Sequence, residues 1–291
     1  MNLRDTHRVS LLFLEGKMNG YYELYQRCFP DYPTTPETFQ SILRPDLAHV
    51  IVHTVEDRLV GYVMVHDNSI PLLCVDEDYR GRGIGSTLLT KAERTISALG
   101  RHKAVLGCGP HYLLQGVPDG PAVDFFQHRG YAAGWTSINM ELDLASFDPA
   151  SLAIPPAPEG LTFRLAEKSD IPALLKAVEA AEPGWVSIFA DCTDPILLAG
   201  LDGEIAGFEI LSPDGGHFTR PGQRIGSVGC VGVVPDMRER GIGMAMVAEG
   251  CSWLKSKNCT QIELRYTWLE SWYGKLGFRT VSRQWMGEKN L

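Results

Sequence analysis

The pattern Arg-x-x-Gly-x-Gly occurs twice in the chain, at Arg80–Gly85 and at Arg238–Gly243. Each copy lies between an apolar, strand-like run and a long, helix-like run. A helix N-terminus presents unpaired N–H groups and the positive end of the helix dipole, so it binds phosphate oxygens. Glycines let a ligand approach the backbone closely, and arginines add charge-assisted hydrogen bonds. The pattern therefore predicts two phosphate-binding loops, named the first loop (80–85) and the second loop (238–243).

The two loops belong to an internal repeat. Arg80 and Arg238 are 158 residues apart, and so are Gly85 and Gly243, so strand, loop and helix keep one offset. Such self-similarity predicts two homologous domains, and 291 residues are enough for two cores. We expect an N-terminal domain at 1–145, a proline-rich linker at 146–159 and a C-terminal domain at 160–291.

Two other phosphate-binding motifs fit the loops poorly. The nucleotide-hydrolase loop GxxxxGK[ST] needs Lys and then Ser or Thr after its last glycine, and neither copy has them. The dinucleotide fingerprint GxGxxG would place its third glycine at Leu88 or Met246. A turn that merely requires glycine explains either loop alone, but it does not explain the shared arginines and the shared offset.

Composition and charge restrict the class of protein. The chain has 44% hydrophobic residues, 21% charged residues and a formal net charge of −8, so it lacks the basic balance of a nucleic-acid-binding protein. This charge favours a small cationic substrate. Seven scattered cysteines without CxxC spacing predict neither a disulfide framework nor a metal site. The run Val9–Leu14 is too short for a signal-peptide core, and no apolar stretch reaches membrane-spanning length, so we expect a cytoplasmic protein.

The elements that must position the loops follow one plan in both halves. Short strands around Val9–Leu14 and at Leu161–Leu165 open each half, helices follow, and further strands precede each loop. A long helix, another strand, a short helix and a closing strand come after each loop. Because helices interrupt a mainly antiparallel series of strands, we expect an α+β fold with two mixed, mostly antiparallel sheets flanked by helices.

The last short helix of each half carries a second motif. It reads WYGKLGF at 272–278 and FFQHRGY at 125–131. Together with the loops, these segments resemble the GNAT acetyltransferase superfamily, whose closing signature is similar to FYxKxGF. The tandem arrangement resembles that of the mycothiol synthases in architecture, and this likeness says nothing of the substrate.

The resemblance implies acetyl-CoA binding, with the pyrophosphate on each loop and the pantetheine arm along the preceding strand. In the family this strand bulges and separates from its neighbour, so backbone groups bind the pantetheine amides and one N–H holds the oxyanion. The implied cofactor-binding residues are Leu73, Cys74, Val75, Arg80, Arg82, Gly83, Gly85 and Ser86 in the first half, and Val231, Gly232, Val233, Arg238, Arg240, Gly241, Gly243 and Met244 in the second.

The family commonly places its general acid at the tyrosine of the closing signature, which is Tyr273 here and Phe126 in the first half. Since phenylalanine cannot donate a proton, the resemblance implies a catalytic C-terminal domain and an N-terminal domain that is weak or inactive. A tyrosine packed on an amphipathic helix is the alternative interpretation of Tyr273.

Two features depart from the family pattern. A family asparagine that contacts the cofactor falls at about Tyr266, and the strand Ser227–Val234 holds no carboxylate to act as a general base. Either water relays the proton to a more distant group such as Glu263 or His217, or the amine binds in its neutral form.

The first half carries an insertion. Gly130 and Gly277 are only 147 residues apart, which leaves 11 extra residues in the first half, within 107–118. His111 and Tyr112 of this segment either supply a replacement acid, line a substrate pocket or cover an edge.

We expect an N-acetyltransferase that moves acetyl from acetyl-CoA to a primary amine of a small molecule, without a metal. A protein acetyltransferase acting on N-termini or lysines and a non-catalytic acyl-CoA sensor are the alternatives. The oligomeric state is open, because two similar domains in one chain can pair about a pseudo-twofold axis as homodimers do.

Overall fold

The computed structural model describes residues 20–43, 48–107 and 113–291. They form two compact units. The first unit contains the described chain up to Ser137, His217–Thr219 and Ser282–Leu291. The second unit contains Ile138–Gly216 and Arg220–Val281. The strand predicted around Val9–Leu14 lies outside the described residues.

The first unit combines four helices with a sheet in its described part. The helices are α1 (residues 20–28), α2 (Pro36–Leu43), α3 (Ile84–Ala98) and α4 (Pro121–Gln127). The strands are β1 (His49–Val55), β2 (Arg58–His66), β3 (Ser69–Val75), β4 (Lys103–Leu106), β5 (Val117–Pro118) and most of β12 (Arg279–Asn290). Their order is β1-β2-β3-β4-β12, and β5 also pairs with β12. β3 and β4 pair in parallel, whereas the other pairs are antiparallel.

The second unit repeats this plan. Its strands are most of β6 (Ala132–Asp143), β7 (Thr162–Leu165), β8 (Ile196–Leu201), β9 (Glu204–Ser212), β10 (Ile225–Val233) and β11 (Gln261–Thr267). Its helices are α5 (Ile171–Ala181), α6 (Val186–Ala190), α7 (Ile242–Ser256) and α8 (Glu270–Gly274). The strand order is β6-β11-β10-β9-β8-β7, with β10 and β11 parallel. The predicted α+β fold is confirmed, with mixed, mostly antiparallel strands flanked by helices in each unit.

The compact units and the halves of the sequence differ in their last strand. β12, at the end of the chain, pairs with β4 of the first unit, where Glu288 is the register partner of Val105. β6, which ends the first half, pairs with β11 of the second unit, where Asp143 is the partner of Gln261. The expected domains 1–145 and 160–291 follow the repeat, whereas each compact unit is completed by a strand from the other half.

The segment 146–159, predicted as a linker, lies against the second unit. Phe147 is buried in the core that α7 shares with its sheet, and Leu152 and Ile154 pack against the same core. The Lys255 ammonium donates to the Phe147 carbonyl oxygen over 2.8 Å. These contacts hold the proline-rich chain against α7.

One apolar stripe of each long helix packs on its sheet. In α3 the stripe is Leu88, Leu89, Ala92 and Ile96, and it joins the core of the first unit. Burial of such a stripe fixes the helix against the strands, so each loop has a set position at the end of its preceding strand. Among the described residues, no helix is both long and apolar enough to cross a bilayer.

Candidate active site

The two loops have the same backbone conformation. Gly83 and Gly241 precede α3 and α7, and their φ angles are 80° and 79°. This left-handed region is accessible to glycine at little cost, which explains why both copies place glycine there. The helices that follow have 15 residues each, so both helix N-termini are presented in the same way.

The strand before each loop bulges and then separates from its parallel neighbour. β3 gains one residue relative to β2 between Ser69 and Leu72, and β10 gains one relative to β9 between Gly229 and Gly232. Pairing of β3 with β4 is registered at Ser69 and Ile70, and pairing of β10 with β11 ends at Ser227. Beyond these points, in the part next to the loop, each strand is no longer paired with its parallel neighbour on that side.

The first arginine of each loop makes the same contact. Arg80 Nε donates to the Val75 carbonyl oxygen, and Arg238 Nε donates to the Val233 carbonyl oxygen, both over 3.0 Å. Arg238 also donates to the Ala181 carbonyl oxygen over 3.2 Å. The arginines therefore connect each loop to the end of its strand.

The second arginine of each loop contacts the turn that directly precedes the loop. Arg82 donates to the Asp78 carbonyl oxygen over 2.9 Å and lies 5.0 Å from the centre of the Tyr79 ring. Arg240 lies 3.0 Å from the Met237 sulfur. Both side chains are exposed, which leaves them room to reorient toward a ligand. Reorientation would break the contacts described above.

The first loop opens on a cavity of about 570 Å³. Six of the eight residues predicted for this half line it, namely Leu73, Val75, Arg80, Gly83, Gly85 and Ser86. Cys74 is fully buried beside the cavity wall. At Gly83, no atom of the described residues lies within 4 Å of the position that a Cβ would take. None of the described residues therefore blocks the approach of a ligand to the start of α3.

Arg129 is a cavity residue that the sequence analysis missed. Its guanidinium donates to the Ser86 hydroxyl and to the Phe125 carbonyl oxygen, both over 2.6 Å, and lies 3.7 Å from the centre of the Phe125 ring. These contacts place a second cation beside Arg80 in the cavity wall. Arg129 stands immediately before Gly130 in the closing motif, and the corresponding Leu276 is fully buried. The sequence alone shows this difference between Arg129 and Leu276.

The second loop is covered by the linker. A Cβ at Gly241 would stand 2.7 Å from the Pro156 carbonyl oxygen and 3.3 Å from that of Pro155. These oxygens carry partial negative charge and lie where a phosphate would approach the helix. Glu239, at the position of Gly81, has a φ of 61° and adds a carboxylate to this loop. Both features oppose the binding of an anion here.

The remaining residues predicted for the second half are largely packed. Met244 is buried in the core at the position of Ser86, and the Phe208 ring fills the space beside Gly232. Gly243 faces the Trp272 ring at 3.4 Å from its Cβ position. Val231 and Val233 are half-buried against the same core.

Tyr273 lies in the core of the second unit and is 6% exposed. Its ring centre is 4.7 Å from that of Trp272 and 5.7 Å from that of Phe278. Burial, reinforced by the nearby Glu209 carboxyl, raises the pKa of Tyr273, so its hydroxyl keeps its proton at neutral pH. Phe126 has the same environment in the first unit and contributes a ring without a hydroxyl.

The carboxyl group of Glu209 is buried behind Tyr273, between β9 and α7. Neither oxygen has a hydrogen-bond partner among the described residues, and burial raises the pKa of Glu209 well above its ordinary value. One oxygen contacts Gly250, where a Cβ would collide with it. Glu209 follows Gly207 by two residues, as Val63 follows Gly61, so a carboxyl stands where the first unit has an apolar side chain.

The two predicted proton acceptors belong to different units. Burial, reinforced by Glu141, raises the pKa of Glu263 to about 8, and its carboxylate lies 3.8 Å from Arg265. His217 belongs to the first unit, where its carbonyl oxygen accepts from the Thr34 hydroxyl.

The sequence singled out three further residues, Tyr266, His111 and Tyr112. Tyr266, at the place expected for the family asparagine, is exposed and has a φ of 60°. His111 and Tyr112 lie outside the described residues. Within the described chain, no group of three or more His, Cys, Asp or Glu side chains is placed to hold a metal ion.

The chain matches the acetyltransferase (GNAT) domain family twice, at residues 46–133 and 193–280. A mycothiol acetyltransferase of Tsukamurella paurometabola is 29% identical over 219 residues, which are 65% of this chain and 66% of that protein. The chain thus spans slightly less than two thirds of this relative.

Solved structures share the fold at low identity. A GCN5-related glucosamine N-acetyltransferase region of a fungal GH3 beta-N-acetylglucosaminidase has a TM-score of 0.81 at 22% identity, covering 94% of this chain and 37% of that one. A GCN5-related N-acetyltransferase of Sphaerobacter thermophilus has a TM-score of 0.70 at 20% identity, covering 93% and 91%. A tandem GNAT protein from the clavulanic acid biosynthesis pathway has a TM-score of 0.70 at 15% identity, covering 95% of each chain.

The family match covers more than half of the chain, and it includes both loops, both long helices and both closing motifs. The protein therefore belongs to the GNAT acetyltransferase family, with two GNAT domains in tandem.

Proposed function

We propose that the protein is an acetyl-CoA-dependent N-acetyltransferase for a primary amine of a small molecule, and that the co-substrate binds at the first loop. One observation carries the choice of loop: Gly83 faces a cavity of about 570 Å³, whereas the linker carbonyls of Pro155 and Pro156 stand in front of Gly241. This assignment differs from the expectation that the C-terminal domain is catalytic. Tyr273 remains the prediction for the alternative site.

The charges of the first loop fit a pyrophosphate. Arg80 and Arg129 line the cavity, and the N-terminus of α3 adds unpaired N–H groups and its dipole. Charge-assisted hydrogen bonds to phosphate each contribute about 1.5–3 kcal/mol. In the second half these positions hold Arg238 and Leu276, and Glu239 adds an opposing carboxylate.

The unpaired side of β3 fits a pantetheine arm. Leu73 and Val75 line the cavity beyond the last registered pair with β4, so backbone groups on that side can bind amides of a ligand. A backbone N–H there can also stabilise the oxyanion that forms when an amine attacks a thioester. Phe126 holds the position of the family acid without a hydroxyl, so it provides no proton for the leaving thiolate.

Two observations support a small cationic acceptor. The net charge of −8 attracts cationic amines over distances comparable to the Debye length. The Tsukamurella paurometabola relative carries the name mycothiol acetyltransferase, which is compatible with such an acceptor.

Titration calorimetry with acetyl-CoA tests the proposal. We expect one site per chain. Arg80→Ala should weaken binding about tenfold, which corresponds to about 1.4 kcal/mol. The matched control is Arg238→Ala, because both arginines donate to a strand carbonyl over 3.0 Å.

The opposite result, with loss of binding only in Arg238→Ala, would move the site to the second loop. Absence of acetyl-CoA binding in the wild-type protein would refute the proposal altogether. Release of free CoA thiol, followed against a library of amines, peptides and proteins, then separates a small-molecule enzyme from a protein acetyltransferase and from a sensor.

A further inference from the structure

Two cysteines, Cys28 and Cys74, lie at the wall of the first cavity and belong to one apolar cluster. Cys28, the last residue of α1, lines the cavity, and Cys74 of β3 is fully buried behind it. Cys28 packs against the apolar cluster that contains Cys74. Cys28 Sγ also lies 3.5 Å from the Val75 carbonyl oxygen, on the strand proposed to bind pantetheine. Both thiols are in the reduced state.

The end of α1 is held in this place by ionic contacts. The Asp76 carboxylate, 3.2 Å from Arg27 and 3.0 Å from Arg58, is buried at the end of β3. Because Arg27 is the neighbour of Cys28 in sequence, this pair fixes the thiol next to the strand. Arg80, which donates to the same Val75 carbonyl as Cys28, brings a guanidinium to the sulfur.

The surroundings make the two thiols unequal. The neighbouring Cys74 and the Arg80 guanidinium lower the pKa of Cys28 to about 7 despite its burial, so Cys28 loses its proton more readily than an ordinary cysteine. Burial raises the pKa of Cys74 well above its ordinary value. One thiol is thus an accessible nucleophile, and its partner is protected until the first has reacted.

We propose that Cys28 and Cys74 form a thiol–disulfide exchange site for low-molecular-weight disulfides. The Cys28 thiolate attacks one sulfur of a disulfide RSSR, which forms a mixed disulfide Cys28–S–SR and releases RS⁻. Cys74, after losing its proton to the released RS⁻, attacks the Cys28 sulfur. The Cys28–Cys74 bond forms and the second RS⁻ leaves. The two protein thiols are oxidised by two electrons, and RSSR is reduced to two thiols.

Exchange at this site changes the acyl-CoA cavity. The mixed disulfide places the R group in the cavity, and the internal disulfide ties the end of α1 to β3 beside Leu73 and Val75. Both states oppose binding of a pantetheine arm. This consequence for activity rests on the proposed function, whereas the exchange reaction itself does not.

The second half has no cysteine at the position of Cys74, although Cys192 and Cys230 pack against another cluster there. Gly232 stands at the position of Cys74, and the Phe208 ring occupies the adjacent space. Cys192 provides a matched control elsewhere in the chain. It is half-buried like Cys28, but burial raises its pKa. A reaction governed by exposure alone would not distinguish these two thiols, whereas a reaction governed by thiolate content would.

Glutathione disulfide at pH 7, followed by intact mass spectrometry and peptide mapping, tests the site in the full chain. In the wild-type protein we expect the mass to fall by two hydrogen atoms, with a Cys28–Cys74 crosslink. Cys74→Ala should stop at a glutathione adduct on Cys28, and Cys28→Ser should show neither product. Adduct formation on Cys28 should be at least about tenfold faster than on Cys192.

Modification of Cys192 before Cys28, or a Cys28 adduct that Cys74 never resolves in the wild-type protein, would overturn the proposal. If Cys74→Ala fails to fold, the Cys28→Ser and Cys192→Ser variants still compare the two rates.

Acetyl-CoA, which has no free thiol, should slow the reaction of Cys28 and leave that of Cys192 unchanged. Calorimetry is run on the same samples. Exchange without acetyl-CoA binding would refute the proposed function alone, and acetyl-CoA binding without exchange would refute the exchange site alone.

Discussion

Gly83 and Gly241 adopt the same left-handed conformation before helices of equal length, and Arg80 and Arg238 bind their strands over the same distance. The space in front of the two glycines is different. The described residues leave Gly83 open to a cavity, whereas the Pro156 carbonyl oxygen lies against Gly241. The fold requires a left-handed glycine and a following helix in both loops, whereas a ligand also requires open space in front of the glycine.

The features that the two loops share serve the backbone. A bulged strand, a left-handed glycine and an amphipathic helix are needed to turn the chain at this point, whatever binds there. The side chains that would touch a ligand have diverged. Ser86 corresponds to buried Met244, and Arg129 corresponds to buried Leu276. A shared motif therefore does not establish a shared ligand.

Substitution of the two loop glycines should separate the loops most strongly. Valine at either position meets about 1–2 kcal/mol of strain, because both φ angles are near +80°. Gly83→Val also fills the approach to α3, and we expect turnover of acetyl-CoA to fall about 100-fold or more. Gly241→Val should lower the melting temperature with less than about a twofold change in turnover. Initial rates and thermal unfolding measure the two effects.

Equal loss of turnover in both glycine variants, at temperatures where both remain folded, would show that the loops act together. Loss confined to Gly241→Val would require the linker to move away from the second loop when the co-substrate binds.

Removal of the second cation should have a smaller effect. Arg129→Leu gives the first loop the residue of the second half and removes the contacts with Ser86 and the Phe125 ring. We expect KM for acetyl-CoA to rise about tenfold, since one charged hydrogen bond contributes about 1.5–3 kcal/mol, and kcat to stay nearly constant.

Steady-state kinetics over a range of acetyl-CoA concentrations separate the two constants. Arg129→Lys should recover part of the loss, because lysine keeps the charge without the bidentate geometry. A fall in kcat at constant KM would instead place Arg129 near the reacting atoms.

Tyr273→Phe addresses the alternative assignment directly. If the first loop binds the co-substrate, loss of a hydroxyl in the core of the second unit should change turnover by less than about twofold. A general acid contributes about 100-fold or more. A fall of that size, with acetyl-CoA binding intact, would restore the C-terminal domain as the catalytic one. Calorimetry on the variant provides the control for binding.

The loops, the long helices and the sheets were predictable because they depend on local sequence. Glycine pairs, apolar stripes and β-branched runs each act over a few residues, and their repetition at 158 residues made the duplication evident. The family resemblance added the expectation of acetyl-CoA.

The surroundings of the loops were not predictable, since they depend on contacts between distant residues. The exchange of β6 and β12 leaves no local signal, because either closing strand fits either sheet edge by pattern alone. The linker composition indicated an extended chain but not the docking of Pro156 on Gly241. The contact of Cys28 with Cys74 joins residues on different elements. Arg129 could have been noticed, since Leu276 occupies its place in the repeat.

We expect the smallest effect from the buried carboxyl of Glu209, which makes the stability of the second unit depend on pH. Because burial raises its pKa, the folded state keeps this proton above about pH 4.3, where the unfolded chain has released it. The folded state then binds more protons than the unfolded state. The free energy of unfolding of the second unit should therefore fall as pH rises, by up to about 1.4 kcal/mol per pH unit from this group, until the pH reaches its folded pKa.

Amide hydrogen exchange of α7 and α3, corrected for the intrinsic exchange rate and compared at pH 5 and pH 7, follows the two units separately. Glu209→Gln should reduce the pH dependence of protection in α7 and leave α3 unchanged. The double variant Glu209→Val with Gly250→Ala copies Val63 and Ala92 of the first unit, so it should also remove the loss of protection at higher pH. The same pH dependence in wild type and Glu209→Gln would mean that another group titrates. A pH effect confined to α7 and abolished by Glu209→Gln would show that the buried carboxyl lowers the free energy of unfolding of the second unit at higher pH. The first unit does not lose stability in this way, because its core has a methyl-bearing side chain where the second has a carboxyl.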